Sequence, residues 1–280
     1  MKVSTFNICG AINSSRRLYG RWGPLVKYNQ ERATIARLTL ERIKEFVKEE
    51  GVDILALQEI DRSGIDQPQE LARLTSMNYV YGPNFNYNLC GLLNVDTGNG
   101  VFSREVIKNS FQIQFSTNQW SPLRKLKGSK KLLVIQDQRG IYYTSVHLTH
   151  NDDSQKLLEV RELFNYCRDH TPIILMGDLN FMPRPQRLRS YSNKRMYATD
   201  TCPEVIDELI ADFGLDVQIG EGLVSDDPRL YTTGNPLDKT IDYIAVINKP
   251  EDKVKPKLVS TYRVELGISD HEPLVAEIQL

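Results

Sequence analysis

Short runs of apolar and β-branched residues recur along the chain, each ended by polar residues, glycine or proline. They are Val3–Ile8, Ile54–Leu57, Leu132–Ile135, Ile141–Val146, Ile173–Met176, Tyr243–Ile247, Val259–Val264 and Leu274–Ile278. Runs of this length with this punctuation predict strands. Between the first two the period changes. Ala36, Leu40, Ile43 and Val47 recur at helical spacing, which predicts a helix over Gln30–Glu50 that stops at Gly51. A second helix is predicted over Ser154–Arg168, opened by Asp152-Asp153-Ser154 as a cap, and a third over Glu204–Phe213, ended by Gly214. Strands alternate with helices early and crowd together late. That order implies an α/β protein built on mixed sheets rather than a doubly wound parallel one. With no repeat, low-complexity tract or linker-like shift in composition, residues 1–280 read as a single domain.

Composition narrows the picture. A chain of 280 residues with 40% hydrophobic and 25% charged residues can bury a sizeable core and is neither disordered nor fibrous. The net charge of -1 and sequence pI of about 6.5 argue against a protein that holds duplex nucleic acid through bulk charge. Cys9, Cys90, Cys167 and Cys202 form no CxxC pair and are too few for a disulfide scaffold, which fits a reducing interior. The N-terminus reads as a strand rather than a leader, and no apolar run reaches membrane-spanning length. A cytoplasmic monomer without a membrane span is therefore expected. Neither GxGxxG nor GxxxxGK[ST] occurs, so a nucleotide-cradling loop is not indicated.

The chemistry lies in where polar residues fall relative to the strands. Asn7, Glu59, His147, Asp178 and Asn180 follow predicted strands, whereas Asp242 and Asp270-His271 precede theirs. If the last two strands run antiparallel to the other four, every one of these residues reaches the same rim. Glu59, Asp178, Asp242 and Asp270 would then crowd together, and like charges a few Å apart demand a proton or a cation. Oxygen ligands favour a hard ion, Mg²⁺ with Mn²⁺ or Ca²⁺ as alternatives, and no HExxH or Cys/His cluster points to zinc. His147 and His271 add groups that exchange protons near neutral pH. Hydrolysis of a phosphate ester uses this combination. Taken singly, each residue also has a plain reading as a turn residue, a cap or a core histidine. His150 and His170 have no motif around them and read as structural.

The motifs Phe6-Asn7, Leu57-Gln58-Glu59, Gly98-Asn99-Gly100-Val101-Phe102-Ser103-Arg104, Val146-His147-Leu148, Gly177-Asp178-Leu179-Asn180, Ile241-Asp242-Tyr243-Ile244 and Ser269-Asp270-His271-Glu272-Pro273 occur in this order along the chain. The ordered set resembles the endonuclease/exonuclease/phosphatase superfamily, and it spans residues 6–273. The resemblance implies the deoxyribonuclease I-like fold, a four-layer α/β sandwich of two packed mixed β-sheets flanked by helices. It implies Glu59 as principal metal ligand with Asn7 and Asp270, and Asp178 as the group that holds or deprotonates water. By the same resemblance Asn180 would bond the phosphate or the nucleophile. His271, held by Asp242, would contact a phosphate oxygen, and His147 would act as the second histidine. In deoxyribonuclease I a glutamate just after the Gly-Asn motif pairs with that histidine, which assigns Glu105 to orient His147.

Two basic stretches bear on substrate. Arg124–Lys131, just before a predicted strand, reads as a solvated turn. Arg184, Arg187 and Arg189, with Lys194, Arg195, Tyr191 and Tyr197, lie in an acid-free loop that begins four residues after Asn180. Basic and aromatic residues beside a phosphate-cleaving rim suit a nucleic-acid backbone or another polyanion. The leading expectation is a metal-dependent phosphodiesterase cleaving nucleic acid. Its alternatives are an enzyme for a small phosphate ester, inositol phosphate or phospholipid headgroup, and a non-catalytic binding protein on the same fold.

Overall fold

The computed structural model describes residues 1–11, 25–89, 93–116, 130–149, 153–180, 211, 215–219, 241–269 and 271–280. The predicted third helix and the loop carrying Arg184, Arg187 and Arg189 lie outside these residues, apart from helical Ala211.

The strands are β1 (Lys2–Asn7), β2 (Ile54–Asp61), β3 (Asn78–Leu89), β4 (Leu93–Ser103), β5 (Asn109–Gln114), β6 (Lys131–Gln136), β7 (Tyr142–His147), β8 (Ile173–Asp178), β9 (Asp216–Ile219), β10 (Asp242–Asn248), β11 (Lys257–Arg263) and β12 (Leu274–Gln279). The helices are α1 (Leu25–Glu50), α2 (Gln67–Thr75) and α3 (Asp153–Asp169). All eight predicted strands are present, as are the first two predicted helices, with α1 starting earlier than expected. Helix α1 ends as its sequence suggests. Gly51 takes φ 66 and Val52 N–H donates to Val47 O at 3.0 Å, closing the last turn.

The strands form two six-stranded sheets, ordered β11-β12-β1-β2-β4-β3 and β5-β6-β7-β8-β10-β9. Each contains one parallel pair, β1 with β2 and β7 with β8. Strand β12 runs antiparallel to β1, and β10 antiparallel to β8, so the condition set by the sequence is met.

Three apolar clusters mark the layers. Val3, Ile54, Ala56, Ile174, Met176, Ile244 and Ala276 fill the space between the sheets. On the outer face of the first sheet, Ala36, Leu40, Ile43 and Val47 of α1 pack on Phe6, Leu55 and Leu57. On the outer face of the second, Val160, Leu163 and Phe164 of α3 pack on Val134, Val146 and Leu175. Continuous apolar runs such as Ile173–Met176 follow from this arrangement, because a strand inside a sandwich is covered on both faces. The result is helix, sheet, sheet, helix: the four-layer sandwich.

Candidate active site

Backbone geometry brings the polar residues to one end of both sheets. A Cβ on Gly177 would lie 2.1 Å from Val146 O, so glycine is what lets β8 approach β7 here. His147 and Asp178 thereby become register partners at the strand ends. Asp242 pairs with Asp178 from the other side. In the first sheet the β2–β4 register shifts between Leu57 and Ile60, and Glu59 within that bulge adopts φ 54. A bulge frees its residue from the ladder and re-aims the side chain. Asn180 (φ 52), Cys9 (φ 48) and Ala11 (φ 53) are left-handed at the same rim. Non-glycine residues held there cost about 1–3 kcal/mol each, and such strain gathers at functional sites.

Three side-chain nitrogens, from the ends of β1 and β7 and from the turn before β12, face one carboxylate oxygen. Asn7 Nδ2 donates to Asp178 Oδ2 at 3.0 Å. His147 Nε2 lies 3.6 Å from the same atom, and His271 Nε2 lies 3.8 Å from it. His271 Nδ1 is bonded to the buried Asp242 Oδ2 at 2.8 Å, which fixes the ring and turns Nε2 toward Asp178. His147 Nδ1 stands 3.9 Å from Glu59 Oε1. Burial first, and then the Asp242 charge, push the Asp178 carboxyl up to about 7, against the pull of His271, Asn7 and Lys130.

A second set of residues holds these in place. Asn180 N–H donates to Asp178 Oδ1 at 3.0 Å, and Asn180 Nδ2 donates to Leu148 O at 3.0 Å. Ser269 Oγ donates to Asn7 O at 2.7 Å and accepts from His271 N–H at 3.3 Å, tying the turn before β12 to the end of β1. Behind the rim a buried polar seam joins the sheets. Gln58 Nε2 donates to Ser145 Oγ at 3.0 Å, and Asn99 Nδ2 donates to Lys131 O at 3.0 Å and to Ser145 O at 3.1 Å. These bonds give Gln58 and Asn99, conspicuous in their motifs, a role in alignment. A satisfied buried network of this kind fixes the register of the two layers.

The structure thus brings together Asn7, Glu59, His147, Asp178, Asn180, Asp242 and His271. Asp270 lies outside the described residues. Asn7, expected as a metal ligand, donates through Nδ2 to Asp178 while its Oδ1 accepts from Cys9 N–H at 3.0 Å. One expectation changes. Glu105 does not reach His147. Strand β4 runs antiparallel to β2, so its end lies beside the start of β2, where Arg104 N–H donates to Asp53 O. The Glu105 carboxylate pairs with Arg139 at 2.8 Å, before the start of β7 and a strand length, roughly 20 Å, from the rim.

Lys130 is a second change. Expected in a solvated turn, it lies within electrostatic reach of Glu59, Asp178 and Glu159, which oppose the lowering of its pKa by burial. Only tertiary packing reveals it. His170 is structural, stacked on Tyr166 with ring centroids 4.0 Å apart.

A divalent cation fits this site. One donor atom from each of Asp178, Asp242 and His271 lies within 4.8 Å of the others, all three residues being buried. Burial and a neighbouring carboxylate both resist ionisation of Asp178, and a cation relieves both. Asp242 Oδ2 and His271 Nδ1 are already bonded to each other and both Asp178 oxygens accept hydrogen bonds, so Glu59 offers the most accessible carboxylate of the rim.

Paired mixed sheets with carboxylates and imidazoles converging at one rim define a class of hydrolytic enzyme. The chain belongs to the Endonuclease/Exonuclease/phosphatase family, whose model matches residues 4–271. Members of this superfamily hydrolyse phosphoester bonds and generally use divalent metals. Among solved structures, an endonuclease/exonuclease/phosphatase from Beutenbergia cavernae is similar over 100% of this chain and 71% of its own, at 19% identity and a TM-score of 0.69. An AP endonuclease from Archaeoglobus fulgidus is similar over 100% of both chains, at 17% identity and a TM-score of 0.63. TDP2 from D. rerio, complexed with a single-strand DNA product, is similar over 100% of this chain and 99% of its own, at 12% identity and a TM-score of 0.62. At such identities these likenesses establish the shared fold. No curated protein matches the chain. Among the described residues no helix is long and apolar enough to cross a membrane.

Proposed function

We propose that the chain, acting as a single domain, is a divalent-metal-dependent phosphodiesterase that cleaves nucleic-acid backbone. The observation that carries this reading is the convergence of Asn7, His147 and His271 on Asp178, with Asp242 behind His271. Asp178 would orient a water molecule and accept its proton, its Oδ2 being the oxygen that Asn7, His147 and His271 face. His271 keeps Nε2 turned into the site by bonding Nδ1 to Asp242, as suits a donor to a phosphoryl oxygen. His147, on the opposite side of Asp178, is placed to protonate the departing oxygen. Glu59, with Asn7 and Asp270, would hold Mg²⁺ or Mn²⁺, which when bound neutralises phosphate charge. DNA in the D. rerio relative and the AP endonuclease name of the A. fulgidus relative favour nucleic acid as substrate.

The net charge of -1 supports a second reading, a small phosphate ester with the same chemistry. Incubation with plasmid, single-stranded DNA, RNA and a panel of small phosphate esters, each with Mg²⁺ or Mn²⁺, separates the two. Cleavage of a polynucleotide by wild type and its loss in Glu59→Gln is the expected result. Release of phosphate from small esters alone would replace the first reading with the second. Activity on nothing in the panel would remove both.

A further inference from the structure

Helix α3 contributes more than apolar cover. Its core-facing side is mostly apolar, yet Lys156 and Glu159 on the same helix are also almost fully buried. A carboxylate removed from water is tolerated only when hydrogen bonds replace the lost hydration. Glu159 receives two such bonds from one residue. Thr149 N–H donates to its Oε2 at 2.8 Å, and Thr149 Oγ1 donates to its Oε1 at 2.8 Å.

Thr149 lies two residues beyond His147. The residue between them is held from the opposite side, since Leu148 N–H donates to Asp178 O at 3.0 Å and Leu148 O accepts from Asn180 Nδ2 at 3.0 Å. The segment carrying His147 is therefore gripped by the Asp178–Asn180 turn on one flank and by α3 on the other. Glu159 also lies within electrostatic reach of Lys130, as do Glu59 and Asp178.

We propose that Glu159 is a positioning residue of the active centre, holding the His147–Thr149 segment in register with Asp178 through its two bonds to Thr149. The proposal rests on the phosphodiesterase reading for its effect on turnover, but the grip itself is a property of the fold. Glutamine separates geometry from charge at this position. Its oxygen can accept from Thr149 N–H and its amide can donate to Thr149 Oγ1, so both contacts persist while the charge beside Lys130 disappears.

The test compares wild type, Glu159→Ala, Glu159→Gln and Thr149→Val as full-length proteins. Turnover of bis(p-nitrophenyl) phosphate with Mn²⁺ is measured alongside amide exchange at position 149 by NMR. Loss of a buried charged hydrogen-bond pair predicts that Glu159→Ala lowers kcat by roughly 10- to 100-fold while KM moves less than about threefold. Position 149 should then exchange at least about tenfold faster. Glu159→Gln should restore kcat and exchange to within about threefold of wild type. Thr149→Val, which loses only the hydroxyl bond, should fall between the two and covers the case in which Glu159→Ala does not fold. Equal impairment of Glu159→Gln and Glu159→Ala would overturn the proposal, as would wild-type kcat and exchange in Glu159→Ala. If wild type turns over no phosphoester, the functional reading fails, and the exchange rates alone decide whether Glu159 holds the segment.

Discussion

The two ends of the sandwich use their acids differently. At the end where β4 finishes and β7 begins, acids meet cations. Arg139 pairs with Asp137 at 2.7 Å and with Glu105 at 2.8 Å, while Lys2 lies 3.7 Å from Glu50 and 3.8 Å from Glu277. Tyr143 OH adds a bond to Asp137 at 3.0 Å. At the other end Asp178, Asp242 and Glu59 meet imidazoles, an amide and one half-buried lysine within electrostatic reach. The first arrangement neutralises charge and closes the fold. The second leaves acids poised to share a proton or a cation, and the left-handed backbone of Glu59, Asn180, Cys9 and Ala11 is found at this end. The proposed function falls at the end where the acids are not matched by guanidinium or ammonium partners at ion-pair distance among the described residues.

The comparison breaks most severely if the active rim is altered. His271→Ala and Asp178→Asn should each lower kcat by about 10³-fold or more, since each removes a group that acts on the reacting atoms. Steady-state kinetics on a cleavable phosphodiester measure this directly. Asp242→Asn leaves both reactive groups in place but weakens the hold on the His271 ring, and a fall of roughly 10- to 100-fold is expected.

The acidic rim should also register as a cost in stability. The Asp178 carboxyl sits near 7 in the folded protein, above its value of about 3.9 in an unfolded chain. Between those values the native state binds the extra proton, so the contribution of Asp178 to metal-free stability is greatest below about pH 4 and is lost as pH rises to about 7. The loss is on the order of a few kcal/mol. Thermal melts in EDTA across this range should show the fall in wild type and a much flatter profile in Asp178→Asn. An equal slope in both would remove Asp178 as its source.

Changes at the opposite end sharpen the contrast. Arg139→Met leaves the buried Asp137 with its backbone and Tyr143 bonds but without its cation, and should destabilise by about 1–2 kcal/mol with kcat unchanged. Glu105→Gln removes a half-exposed ion pair worth less than about 1 kcal/mol and should leave turnover within about twofold of wild type. A large loss of activity in Glu105→Gln would return that residue to the active centre.

How much of this was legible in the sequence depended on how each element meets water. Strands covered on both faces, such as β8 and β10, announce themselves as unbroken apolar runs. The β3–β4 hairpin does not. Gly82, Pro83 and the asparagines along it resemble loop punctuation, yet Gly98 is required because a Cβ there would lie 2.1 Å from Gly82 O. Edge strand β5 exposes alternate residues and carries too few apolar positions to stand out. The candidate site residues could be located because strand ends fix where side chains emerge, and the antiparallel return of β10 and β12 brings them together. Glu105 was misplaced because proximity to a motif in sequence says nothing about which end of a strand it occupies. Lys130 and Glu159 were missed because a basic run and a helical acid look solvated until the layers are assembled.

The central claim is that carboxylates from both sheets, Glu59 and Asp178, meet at one rim to support metal-dependent phosphoester hydrolysis. Titration of Mg²⁺ and Mn²⁺ into wild type and Asp178→Asn, with phosphodiester turnover as readout, tests it most directly. Turnover should be absent in EDTA, rise and saturate with metal in wild type, and stay at background in the folded variant. Turnover that is indifferent to EDTA, or a variant as active as wild type, would contradict it.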